Sequence, residues 1–164
     1  MNLGELVALI NPHLTSIIFQ HTGLKKFAQI RAKFEGWLKV ELIRILEEAG
    51  YEALPEVSGI DITFENVAIE LKTCNTNLRI TGVVNKGKPI TKNLNEIISD
   101  INKLRTNGNY VHKYIVFIIF PIPQQHPNFS QYLSVINPTG MPMAVHDLCF
   151  ANNVPAKISY IQVQ

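Results

Sequence analysis

The chain has 164 residues, 46% of them hydrophobic and 17% charged, which is enough for one packed domain and too apolar for a disordered one. Its net charge of +2 neither requires nor excludes a nucleic-acid partner. Two cysteines, Cys74 and Cys149, lack metal-ligand spacing and form no disulfide framework, which favours a reducing compartment.

The opening "MNLGELVALINPH" has neither the charged start nor the long apolar core of a signal peptide. The longest apolar run, "YIVFIIFPIP" over 114–123, is too short for a bilayer and contains two prolines. A cytoplasmic protein with no membrane partner is expected. Charge is unevenly placed. Residues 71–113 hold eight Lys/Arg against two acids, +6, and the remainder is −4. Such a basic middle suits a phosphate footprint, or is simply a set of lysine-rich loops.

In chain order, residues 3–22 predict one or two short helices broken near Asn11-Pro12. Residues 24–50 form the longest periodic segment. Phe27, Ile30, Phe34, Trp37, Leu38, Glu41, Leu42, Ile45 and Ala49 fall near one helical stripe, and Gly50 supplies a stop. Tyr51 to Val57 reads as a strand disturbed by Pro55, hence an edge or a bulge. After the Ser58-Gly59 turn come strands at 60–64 and 67–72, joined at Glu65-Asn66. Leu78 to Val84 reads as a short strand or extended arm, and "NKGKPITKN" (85–93) as a basic loop. A helix is expected over 90–106, with Leu94, Ile97, Ile98, Ile101 and Leu104 in register. Residues 110–120 predict a strand buried on both faces. The tail suggests a short helix over 129–135 and a last strand over 157–163. No internal repeat and no domain boundary is visible. A single α/β domain follows: one mixed sheet flanked by helices.

The stretch "GIDITFENVAIELKT" (59–73) carries the candidate chemistry. With period two, Val67, Ile69 and Leu71 point one way, and Ala68, Glu70 and Lys72 the other. A hairpin turning at Glu65-Asn66 sets Asp61 opposite Glu70, with Cβ atoms about 5 Å apart. Two carboxylates at that spacing repel unless a cation lies between them. Lys72 neutralises them in part, and a divalent ion would do so better. The plainer alternative is a surface strand with a weak Glu-Lys pair and an unrelated aspartate.

In the order of its elements, and in "GID" followed by "IELK", the chain resembles the PD-(D/E)xK, or restriction-endonuclease-like, nuclease superfamily, whose core is αβββαβ. The resemblance covers about residues 30–120, leaving a helical extension at 1–23 and a C-terminal extension at 121–164. Ile60 stands where the eponymous proline would be. The resemblance implies a divalent-metal-dependent nuclease acting on phosphodiesters, most simply those of DNA. Asp61, Glu70 and the Leu71 carbonyl would hold Mg²⁺ or Mn²⁺, and Lys72 would assist the attacking water. Members often add a glutamate from the first helix. Glu41, on the apolar stripe, is the stronger candidate for that role as catalytic and metal-binding residue, and Glu35 the weaker. Lys86, Lys88 and Lys92 would contact nucleic acid, or only keep a loop soluble. The alternative is a catalytically inactive module of the same fold that binds nucleic acid or a protein. A homodimer is a further expectation, since no separate recognition domain is visible. Five dispersed histidines, Cys74, Asp100 and Lys103 are expected to have no special role.

Overall fold

The structure, a computed structural model, describes residues 1–85 and 90–164. Helix α1 (Leu3–Gln20) begins at a reciprocal cap: the Asn2 side chain accepts the Glu5 N–H at 3.0 Å, and Glu5 accepts the Asn2 N–H at 2.7 Å. Leu6, Ile10, Leu14 and Ile18 recur every four residues and are fully buried. The expected break at Pro12 does not occur. The helix runs through Pro12, which lies on the solvent side, because the buried stripe holds both halves against the sheet.

The single periodic segment over 24–50 is two helices, α2 (Leu24–Ile30) and α3 (Glu35–Glu48). They part at Arg31, whose backbone is left-handed (φ 55°). Arg31 is buried, and its guanidinium donates to the carbonyls of Thr76 and Leu78, the latter at 2.5 Å. Asn75 returns a bond to the Arg31 carbonyl at 2.8 Å. Phe27 and Ile30, placed on the core stripe by periodicity, are exposed instead, whereas Phe34, Leu38, Leu42 and Ile45 are buried.

The strands are β1 (Leu54–Val57), β2 (Ile60–Phe64), β3 (Val67–Asn75), β4 (His112–Phe120), β5 (Met143–Cys149) and β6 (Pro155–Val163). Two more helices, α4 (Thr91–Thr106) and α5 (Pro127–Ile136), complete the chain. One six-stranded mixed sheet has the order β1-β2-β3-β4-β6-β5, with β3 and β4 parallel and the other neighbours antiparallel. The parallel pair requires a crossover, which contains α4. The 78–84 segment forms no strand, and β5 was not anticipated.

Helices cover both faces. Val67, Ile69 and Leu71 of β3 and Tyr114, Val116, Ile118 and Phe120 of β4 pack in the layer of α1 and α3. Ala68 and Cys74 of β3 and Ile115, Phe117 and Ile119 of β4 pack in the layer of α4 and α5. That double burial is why β4 reads as an unbroken apolar run. Glu70 and Lys72 therefore face α4. Among the described residues, no helix is long and apolar enough to cross a membrane.

Candidate functional site

The β2–β3 hairpin has the expected register, with Ile62 opposite Ile69, Thr63 opposite Ala68 and Phe64 opposite Val67. Pairing stops one step before Asp61. There the Asp61 carboxylate replaces the ladder: its Oδ2 accepts the Leu71 N–H at 2.8 Å. Its Oδ1 meets the Lys39 ammonium of α3 at 2.7 Å, and Lys39 also grips Glu56 of β1. Burial works against ionising Asp61, but Lys39 and the Leu71 N–H outweigh it and hold its pKa below the ordinary value. The same two carboxylates raise the pKa of Lys39 against the opposing effect of its burial.

Glu70 is only 3% exposed. It pairs with Lys103 of α4, which also donates to the Gly59 carbonyl at 2.6 Å. Burial, and then the neighbouring Asp61, push the Glu70 carboxyl up to about 7, with Lys103 opposing. Lys72 meets Asp100 of α4 at 3.0 Å. Burial would lower its pKa, but Asp100 outweighs that and raises it. Asp100 and Lys103, expected to be idle surface charges, are thus the partners of Lys72 and Glu70. Their three-residue spacing on one helix face matches the two-residue spacing of Glu70 and Lys72 on the strand.

The two candidate helix glutamates part company. Glu35, in the first turn of α3, accepts the Thr73 N–H at 3.1 Å and lies 3.7 Å from Lys33. Glu41 turns to Arg44 at 3.0 Å, within its own helix. Lys33 also bridges to Glu96 of α4 at 3.0 Å. Lys92 is exposed and lies 4.0 Å from Glu96. Lys86 and Lys88 fall outside the described residues. Cys74 is buried, and burial pushes its thiol up to about 12, so it is no nucleophile at neutral pH.

The expected Mg²⁺ or Mn²⁺ site, with Asp61, Glu70, the Leu71 carbonyl and Glu41 as ligands, is corrected by this arrangement. Among the described residues, no group of three or more His, Cys, Asp or Glu side chains is placed to hold a metal ion. Asp61 and Glu70 approach each other, but Glu41 is bound to Arg44, Glu35 to the β3 backbone and Asp100 to Lys72. Lys39 and Lys103 pair with Asp61 and Glu70 instead. The metal-dependent nuclease and its hydrolase activity, which rested on that ligand set, fall with it.

A second charged region was not singled out by spacing. Nine of the thirteen acids lie within residues 35–70 with only two cations, and the rest of the chain carries thirteen cations against four acids, +9. Residues 6–34 and 71–95 contain no acid at all. The fold brings these two stretches together: Arg31 bonds to the 76–78 backbone, and the Val84 N–H donates to the Gln29 carbonyl at 2.8 Å. Lys25, Lys26 and Arg79 of these two stretches make no ion pair among the described residues. Phe27, Ile30 and Val84 of the same stretches are 41%, 46% and 50% exposed. The signal available in the sequence was the lack of acids, but two separated segments had to be joined to see it. No family model, no curated protein and no solved structure matches the chain, so what it does must be argued from its own side chains.

Proposed function

We propose that the chain is a nucleic-acid-binding module on a restriction-endonuclease-like core, and that it binds through the basic face of α2 and the 76–84 segment. The observation that carries this reading is the division of the cations. Lys39, Arg44, Lys72 and Lys103 are spent on carboxylates, whereas Lys25, Lys26 and Arg79 make no ion pair among the described residues and are free to meet phosphates. Phosphate neutralisation supplies most of the sequence-independent affinity for nucleic acid. Exposed Phe27, among those cations, adds a stacking surface for bases. The order of elements from α3 to β4, and the placement of Asp61, Glu70, Leu71 and Lys72 on adjoining strands, support the family resemblance. In this role Asp61, Glu70, Lys72 and Glu35 tie α3 and α4 to the sheet and so fix the frame on which the basic face is displayed.

The test is fluorescence anisotropy with labelled duplex and single-stranded DNA across a salt series. Binding should weaken steeply with salt. A Lys25→Ala, Lys26→Ala, Arg79→Ala triple variant should lower the magnitude of the log–log slope by about 2 to 3, since each lost phosphate contact removes about 0.7 to 0.9. Absence of binding to either DNA at low salt, or an unchanged slope in the variant, would reject the proposal.

A further inference from the structure

A cavity of about 330 Å³ opens on the basic face, lined by Lys25, Lys26, Gln29, Thr81, Gly82 and Asn152, with Val154. No acid lines it. Three separate parts of the chain build its walls. The Asn152 side-chain amide donates to the Lys25 carbonyl at 3.0 Å, which ties the turn before β6 to α2. The Val84 N–H to Gln29 carbonyl bond ties the 81–84 turn to the same helix. Gly82 has φ +79°, a conformation that favours glycine, and a Cβ there would meet nothing within 4 Å, so its backbone stays open to a ligand. The lining thus combines two cations without carboxylate partners, a hydroxyl, two side-chain amides and an exposed turn backbone.

Lys25 and Lys26 both line this cavity, and an anion seated in it would be attracted to both ammonium groups. The Asn152 N–H is spent on the Lys25 carbonyl and leaves its Oδ1 as an acceptor, but the two ammonium groups, the Thr81 hydroxyl and the Gln29 amide remain as donors for a tetrahedral oxyanion. The volume is at the lower end of small-ligand sites, large enough for a phosphoryl group with part of the unit it is attached to. We propose that this cavity seats a phosphoryl group, held by Lys25, Lys26 and the Thr81 hydroxyl. The source of that group rests on the function proposed above: a backbone or terminal phosphate of nucleic acid, with a small phosphorylated metabolite as the other source.

The experiment is amide NMR of the full chain titrated separately with inorganic phosphate, adenosine monophosphate and a short oligothymidylate. It is repeated on Thr81→Glu, which sets a carboxylate at the mouth of the cavity, and on Lys113→Ala, which changes a charge elsewhere. Thr81 is exposed, so Thr81→Glu should fold, and its amide spectrum verifies this. All three ligands should shift the Lys25, Gly82 and Asn152 amides. Thr81→Glu should weaken each by about tenfold, and Lys113→Ala by less than twofold. If the oligonucleotide binds the wild type and Thr81→Glu equally and no cavity amide moves, the cavity assignment is wrong and the nucleic-acid function stands. If phosphate and adenosine monophosphate bind with the expected sensitivity but the oligonucleotide does not bind, the cavity assignment holds for a small metabolite and the nucleic-acid function falls. If none of the three ligands shifts any amide of the chain, both fail.

Discussion

Replacing Glu70 by glutamine should make the protein more stable above neutral pH while changing little in acid. Glu70 is buried against α4, and its carboxyl titrates at about 7 against 4.5 in an unfolded chain. Between those values the folded protein holds a proton that the unfolded chain has released. Wild-type stability therefore falls as pH rises from about 4.5 to about 7, and levels off above. The gap in pKa corresponds to about 3 kcal/mol once both states are ionised, most of which is lost between pH 5 and pH 8. Glutamine cannot ionise, removes the repulsion from Asp61, and keeps an oxygen for the Lys103 ammonium. Urea denaturation of both proteins at pH 5 and pH 8.5 measures the difference, and the titrating groups that do not touch Glu70 cancel in the comparison. Near-equality at pH 5 and a variant about 2 to 3 kcal/mol more stable at pH 8.5 is the expected result. Parallel stabilities at both pH values, or a variant that weakens as pH rises, would refute the assignment of a buried, raised carboxyl.

Asp61→Asn should lower the Glu70 pKa, because burial remains but the neighbouring negative charge is gone; a carboxyl NMR titration would show an unmoved value if the two groups do not interact. Arg31→Ala should cost about 2 to 4 kcal/mol in denaturant unfolding, since it leaves the Thr76 and Leu78 carbonyls without their buried donor. A loss below about 0.5 kcal/mol would show that water replaces the guanidinium freely. Cys74 should resist a thiol reagent in the native state and react after unfolding, while the partly buried Cys149 reacts first. Equal native rates would contradict the burial of Cys74.

Period-two alternation places Glu70 and Lys72 on one face of β3 from the sequence alone, and the apolar run of β4 announces its double burial. Both are local consequences of strand geometry. The division of residues 24–50 was not legible in the same way. It depends on Arg31 bonding to carbonyls more than forty positions away, and a periodic stripe carries no trace of such a tether. Asp61 illustrates the limit within the candidate site. Hairpin arithmetic sets it opposite Glu70, but not that its carboxylate would take the Leu71 N–H and the Lys39 ammonium. The charges that decide the chemistry, Lys39, Asp100 and Lys103, come from helices whose rotation about the sheet is a tertiary fact. Four lysine–carboxylate contacts, three of them reaching Asp61, Glu70 and Lys72, turn a plausible ligand set into a neutralised frame.

Helix α1 packs against β5 and β6, which lie more than a hundred residues further along the chain. The Tyr160 hydroxyl bonds to the Asn11 side chain across 149 positions. The Asn152 amide reaches the Lys25 carbonyl across 127. At translation rates of roughly 5 to 20 residues per second, the stripe of Leu6, Ile10, Leu14 and Ile18 waits on the order of ten seconds for its final neighbours. Until β5 and β6 arrive, α3 can cover only part of this amphipathic helix. A chaperone that holds such helices would act on this stripe, and its release would coincide with the arrival of β5 and β6 rather than with closure of the β2–β3 hairpin.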